Sequence, residues 1–171
     1  MHKCVLDEGD TSCGNYLSVE MIKISRTDDA QQVFDRLVNT NSLITGYIKC
    51  GKLHDGLALY KKLGKDDSVC ITGHTYVALL RACTMLKDFN KGVEIHADIS
   101  KRGLLMTDLF VTNTLVDMYT KCGAMGKARE VFGQLPKRNV VCWNAMISGF
   151  VHNGLGHEAL KCFRKMKRAR V

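Results

Sequence analysis

Residues 109–139 read LFVTNTLVDMYTKCGAMGKAREVFGQLPKRN, and residues 140–163, VVCWNAMISGFVHNGLGHEALKCF, begin the same pattern again. Asn113 is followed by a small residue and two large apolar ones (Thr114, Leu115, Val116), as Asn144 is by Ala145, Met146 and Ile147. An aromatic then stands at a matching place (Tyr119, Phe150), followed by a glycine turn (Gly123, Gly154). A second apolar stripe carries Ala128 and Phe132, or Ala159 and Phe163. Asn113 and Asn144 are 31 residues apart, and so are Phe132 and Phe163. A fixed period of this size marks a stack of supersecondary units, none of which can bury its apolar stripe alone. One proline in 171 residues argues for helices, because proline breaks them.

Working outward, the same unit recurs in worn or stretched copies. TNSLITGYIKCGKLHDGLALYKKL, from Thr40 to Leu63, repeats the first-helix pattern with Asn41, Leu43, Ile44 and Tyr47, turns at Gly51, and ends in a second stripe. HTYVALLRACTMLKDFNKGVEIHADISKRGLLMTD, from His74 to Asp108, is a further helix pair; Val77 to Asn113 is 36 residues, so this unit is longer. Upstream, DDAQQVFDRL (28–37) places Ala30, Val33, Phe34 and Leu37 on one helical face. Phe34 to Asn41 is seven residues where Phe132 to Asn144 is twelve, so five residues of the usual connection are absent. The expected order is a loose N-terminus (1–12) and then an array over 13–171. The array comprises a partial unit (13–37), units 38–72, 73–108 and 109–139, and a truncated short unit (140–171).

Composition bounds the function. With 46% hydrophobic and 25% charged residues the chain is globular. A net charge of +8 and a pI of about 9.1 favour a polyanionic partner such as nucleic acid, although such an excess is also common on ordinary soluble surfaces. The eight cysteines include no C-x-x-C pair, so zinc or redox spacing is missing and reduced, partly buried thiols are expected. No apolar run is long enough to span a membrane. The opening MHKCVLDEGD has neither a signal-peptide core nor the acid-poor character of a transit peptide. There is no phosphate-cradling glycine loop and no standout carboxylate pair. No catalytic residue, metal, cofactor or small-molecule substrate is therefore expected.

The lines VVCWNAMISGFVHNGLGHEALKCFRKM, LVDMYTKCGAMGKAREVFGQLPKRN and ALLRACTMLKDFNKGVEIHADISKRG resemble the short, standard and long pentatricopeptide repeats of the plant type that mixes units of unequal length. The wording is most similar to early-land-plant members. The resemblance covers roughly residues 14–168. It implies an all-α fold, an α-solenoid of tandem antiparallel helix-turn-helix repeats wound as a right-handed superhelix. It also implies single-stranded RNA as partner, bound at about one base per repeat in a groove lined by the first helices. Editing members often carry a C-terminal zinc deaminase of the DYW type, whose H-x-E and C-x-x-C signature is absent here: His157 is followed directly by Glu158.

In that family the polar residue early in the first helix and the last residue of the repeat read the base together. Carried over, unit 109–139 supplies Asn113 and Asn139, a pair that leans to a pyrimidine, often cytosine. Unit 73–108 supplies Val77 and Asp108; valine cannot hydrogen-bond, so weak discrimination is expected. Unit 38–72 supplies Asn41 and Thr72, with Thr72 departing from the usual closing Asp or Asn and Ile71 replacing the common proline. The last unit supplies Asn144 without a credible closing residue. Phe110 and Val141 occupy base-sandwiching places, and His74 the corresponding place in the long unit. Two alternatives stay open. An Asn near a helix start can simply cap backbone amides, and Asp108 can be a loop aspartate. The tail places Lys161, Arg164, Lys165, Lys167, Arg168 and Arg170 together, either for phosphate or as the solvated basic end of a helix.

The resulting expectation is a non-catalytic RNA-binding module acting in organelle RNA editing, processing or stabilisation, in mitochondrion or chloroplast. An editing or processing enzyme acting in trans would be a further partner. The competing readings are a protein-binding scaffold of tetratricopeptide type and a truncated fragment of a larger editing factor. Against the scaffold stand spacings of 31 and 36, where a tetratricopeptide array keeps about 34.

Overall fold

The computed structural model describes residues 30–63, 71–135 and 138–169, with the side chains of 30–39 and 63 left aside. The expected loose N-terminus, most of the first partial unit and Arg170 lie outside the described residues. Among the described residues the chain is all-α: α1 (Ala30–Lys49), α2 (Leu53–Leu63), α3 (Gly73–Leu86), α4 (Phe89–Lys101), α5 (Leu104–Thr107), α6 (Leu109–Lys121), α7 (Met125–Gln134), α8 (Val140–His152) and α9 (Gly156–Arg168). Helices pack in adjacent pairs, as in an α-solenoid. Contacts divide the chain into two units, up to Thr75 and from Tyr76.

In the first unit α1 and α2 form one hairpin, burying Leu43, Ile44, Leu57 and Tyr60. Gly56 lies so near α1 that a Cβ there would stand 2.8 Å from Ile48 Cγ1. The shortened junction seen in the sequence is continuous helix, because α1 runs unbroken from Ala30 to Lys49. The boundary at 37/38 is therefore not a turn. With five residues of the connection missing, no chain is left to reverse direction, and the backbone satisfies itself by continuing its i→i−4 ladder.

In the second unit two hairpins repeat each other atom for atom at their turns. Gly123 and Gly154 hold φ of 78° and 73°. At the first turn Gly123 N donates to Thr120 O (3.2 Å) and Ala124 N to Tyr119 O (2.9 Å). At the second, Gly154 N donates to Val151 O (3.0 Å) and Leu155 N to Phe150 O (2.8 Å). This double bond is the Schellman cap, and the left-handed residue it needs is why glycine recurs there. The longer unit 73–108 accommodates its extra residues in the single turn α5, which Thr112 Oγ1 ties down by donating to Leu105 O at 3.1 Å.

In the second unit first and second helices both supply the core, Ile95, Ile99, Ala128 and Val131 coming from the second helices. Leu79, Leu80, Val111, Leu115, Met118, Tyr119 and Met146 are almost wholly buried, and each such side chain contributes roughly 1.5–3 kcal/mol by leaving water. Small residues set the spacing. A Cβ on Gly149 of α8 would overlap Thr120 Cβ and Cγ2 of α6, and one on Gly92 of α4 would stand 2.6 Å from Met118 Sδ. Asn153 clamps the same crossing, its Nδ2 donating to Thr120 O at 3.0 Å and Gly149 O at 2.8 Å. The Tyr76 hydroxyl donates to the Asp98 carboxylate, joining α3 to α4. His96 Nδ1 and the Tyr119 hydroxyl are hydrogen-bonded at 2.8 Å, joining α4 to α6. Burial, and secondarily Lys127, hold His96 below its usual range, and burial pushes the Tyr119 phenol up to about 12.

Cys83, Cys122, Cys142 and Cys162 are free thiols, as expected of reduced residues. Cys50, half-buried in the turn after α1, departs from that expectation and is disulfide-bonded.

Two outcomes follow from this packing. Gly149→Ala is expected to lower unfolding stability by about 1–3 kcal/mol through overpacking against Thr120. Gly126→Ala, with nothing within 4 Å of the new Cβ, should not lower it; denaturant midpoints by circular dichroism compare the two. Because folding depresses the His96 pKa, the unfolded chain binds that proton more readily. Stability is then full above pH 6.5 and is lost as pH falls through the folded value. His96→Gln should flatten that part of a stability-versus-pH curve.

Candidate nucleic-acid interface

One face of α6 and one face of α8 are not spent on the core. On α6, Phe110, Asn113, Thr114 and Asp117 recur at helical spacing; on α8, Val141, Asn144, Ala145 and Ser148 repeat it. These two stripes and Asn139, together with Arg81 from α3, line a cleft of about 590 Å³. The opposite faces carry Val111, Leu115 and Met118, or Trp143, Met146 and Phe150, into the interior.

The cleft walls are apolar yet open to water. Phe110 is 80% exposed and Val141 60% exposed, and apolar side chains so exposed in a concave site mark an interaction surface. Between them stands Asn113, the fifth residue of α6. Its Oδ1 is buried and accepts no hydrogen bond from any described residue. An orphaned acceptor of this kind costs free energy until something donates to it.

The capping alternative divides cleanly. Asp108, not Asn113, is the N-cap of α6, its Oδ1 accepting from Phe110 N at 2.9 Å and Val111 N at 3.2 Å. Asn139, not Asn144, is the N-cap of α8, its Oδ1 accepting from Cys142 N at 2.9 Å. The closing residues thus cap the following helix, while Asn113 and Asn144 sit one turn inside, beyond capping reach. Capping occupies only the carbonyl end of Asn139 and leaves its Nδ2 as a donor at the cleft.

Elsewhere the expected pairs are disposed differently. Asn41 and Thr72 are brought together, but onto each other: Asn41 Oδ1 accepts from Thr72 N at 3.1 Å and from Thr75 Oγ1 at 2.7 Å. Thr72 Oγ1 in turn accepts from Thr75 N at 3.4 Å. The acceptor of Asn41 is committed inside the protein. Val77 is half-buried and His74 exposed on α3, and neither lines the cleft. Nor do Lys161, Arg164, Lys165, Lys167 or Arg168, which lie on α9. Lys161 pairs with Glu158 at 3.1 Å, and Lys167 lies 5.7 Å from the Phe163 ring centroid.

Six residues lining the cleft, Arg81, Leu109, Thr114, Asp117, Ala145 and Ser148, were not expected there from the sequence. Arg81, Asp117 and Ser148 each stand four residues beyond an early-helix position: Val77, Asn113 and Asn144. That spacing puts them one turn deeper on the same face and was legible in principle. Asp117 is ion-paired to Lys121 at 2.8 Å, so Arg81 is the one unmatched cation among the residues lining the cleft. Among the described residues no group of His, Cys, Asp and Glu is arranged to hold a metal, and no helix is long and apolar enough to cross a membrane.

A family model described as "PPR repeat" matches residues 38–68, 110–140 and 141–171. The chain belongs to the pentatricopeptide repeat family. Among its relatives in Arabidopsis thaliana, a pentatricopeptide repeat-containing protein named as chloroplastic is 41% identical over 144 residues, covering 80% of this chain and 27% of its own length. One named as mitochondrial is 35% identical over 175 residues, covering 98% of this chain and 27% of its own. Another, named without a compartment, is 34% identical over 167 residues, covering 94% and 27%. The chain thus spans about a quarter of the length of these pentatricopeptide relatives. Two of the three matched repeats, 110–140 and 141–171, supply the walls of the cleft.

Asn113 and Asn139 should separate in a stability measurement. Asn139→Ala removes a helix cap and is expected to cost about 1 kcal/mol. Asn113→Ala removes an oxygen with no protein partner and should stay within about 0.5 kcal/mol of the parent chain. Chemical denaturation of the two variants checks the difference.

Proposed function

We propose that the chain is a single-stranded RNA-binding module whose principal base-reading position is the cleft between α6 and α8. The observation that carries the reading is Asn113: a buried, unpartnered amide oxygen in a cleft walled by exposed Phe110 and Val141. A splayed base fits that chemistry. Its faces are taken by apolar side chains, and its Watson–Crick edge by polar groups. Asn113 Oδ1 offers an acceptor and Asn139 Nδ2 a donor. Any base presents a donor beside an acceptor on that edge, and the preference for a pyrimidine is what the resemblance implies for the Asn–Asn pair.

The remaining positions contribute less. Asn144 presents an exposed amide on the same wall. Val77 has no hydrogen-bonding group, and Asp108 is engaged as a cap, so the long unit discriminates weakly. Asn41 with Thr72 is scaffold rather than reader, because its acceptor is already filled. Arg81 supplies the cation that a polyanion needs in the cleft. The family membership, the relatives named chloroplastic or mitochondrial, and the +8 charge support action on organelle RNA, in editing, processing or stabilisation. No deaminase signature is present in these residues, so chemistry on the RNA falls to an enzyme acting in trans or to another region of a longer protein.

An RNA selection on the purified chain is expected to enrich a pyrimidine at one position, with Asn113→Ala flattening that position. Affinity should fall steeply with salt, since phosphate neutralisation releases counterions. Arg81→Gln should weaken all sequences alike and reduce the log–log salt slope by roughly 0.7, the single-strand increment for one phosphate. Absence of binding at low salt by parent and Asn113→Ala chains alike would overturn the reading.

A further inference from the structure

A second cavity, of about 390 Å³, opens between α7, α8 and α9. It lies on the face of α8 opposite the RNA cleft, being lined by Trp143, Met146 and Phe150 rather than Asn144 and Ser148. Its floor is apolar, and its rim carries Arg129, Arg138, Lys161 and Lys165 against a single acid, Glu158. Arg129 (3.5 Å) and Lys161 (3.1 Å) share Glu158, and the hydrogen bond that Lys161 donates, then the charges of Lys161 and Arg129, hold its carboxyl below the usual range. Arg138 and Lys165 are left without a carboxylate in the cavity.

Two further features point to a ligand. Trp143 is 5% exposed, and its Nε1 donor has no acceptor among the described residues. Buried indole N–H groups ordinarily find a partner. Arg138 is also held ready: its Nε donates to Phe132 O and its Nη2 to Gly133 O, each at 3.0 Å. These bonds fix the guanidinium 5.1 Å from the Phe132 ring centroid and leave its other N–H groups for a planar anion.

We propose that this cavity docks an acidic peptide segment of a partner protein. Arg138 and Lys165 take an Asp or Glu carboxylate, and the floor of Phe132, Met146 and Phe150 takes a neighbouring apolar side chain. RNA is disfavoured by the same geometry. Stacking platforms need open aromatic faces, whereas Arg129 covers Phe150 at 4.9 Å and Arg138 covers Phe132. The proposal stands apart from the RNA reading, because the two sites use opposite faces of α8.

Trp143 is the chain's one tryptophan and lines this cavity, so its fluorescence reports on it, with Asn113→Ala as the control for the other cleft. The probes are the capped hexapeptide Ser-Leu-Asp-Glu-Leu-Ser, its neutral counterpart Ser-Leu-Asn-Gln-Leu-Ser, and a single-stranded RNA oligonucleotide. The acidic peptide is expected to change the emission saturably and the neutral one not. Lys165→Gln should weaken the effect by roughly tenfold or more, Arg138→Gln likewise, and Asn113→Ala should leave it unchanged. Arg138 also binds the end of α7, so Lys165, exposed on α9, is the decisive variant, with helicity by circular dichroism as the folding control. An equal response to both peptides, or none to either, overturns the proposal. So does an RNA response that Arg138→Gln abolishes and Asn113→Ala spares.

Discussion

A two-helix hairpin cannot bury its own apolar stripe, and every other feature of this chain follows from how closely its first helices are allowed to approach. In the second unit that approach is set where Gly149 lies on Thr120 and where the Asn153 amide spans both helix ends. Close contact on one side of α6 and α8 uses up their large apolar residues. It leaves the other side, with Asn113, Asn144, Phe110 and Val141, facing a shared cleft. Core packing and the cleft are thus two faces of the same pair of helices, and a shift of one would tilt the other.

The closing residue of a repeat shows one duty directly, the capping of the next helix; base reading is the duty proposed for it. Asp108 and Asn139 spend a side-chain oxygen on the first turn of the next helix, and Thr72 does the same more loosely. A cap is worth about 1 kcal/mol, enough to account for such residues without RNA. What distinguishes Asn139 is that an amide has a second functional end, whereas the hydroxyl of Thr72 is drawn into a local network with Thr75 and Asn41. The same logic separates the early-helix residues. Asn41 is chemically identical to Asn113, but its oxygen is filled by its own unit while that of Asn113 is not.

Cation placement shows the complementary point. The most conspicuous basic run, on α9, lies away from the cleft, where part of it pairs with Glu158 and part borders an apolar cavity. A single arginine on α3, unremarkable in sequence, lines the cleft instead. Charge density along a chain reports on the surface as a whole. Only helix phase assigns a given cation to one face.

The sequence by itself determined the all-α repeat, its 31-residue period and the glycine turns, because each is a local consequence of helical periodicity and turn chemistry repeated along the chain; the pairing of Asn113 with Asn139 is what the family resemblance implies. It also showed that five residues were missing near Leu37. Tertiary structure decided what that omission becomes, a continuous helix from Ala30 to Lys49. It also decided which polar groups remain unpartnered, since this depends on neighbours as far away in the chain as Thr72 is from Asn41. Periodicity places a side chain on a face; whether that face meets water, a carbonyl or another helix is a property of the assembled packing.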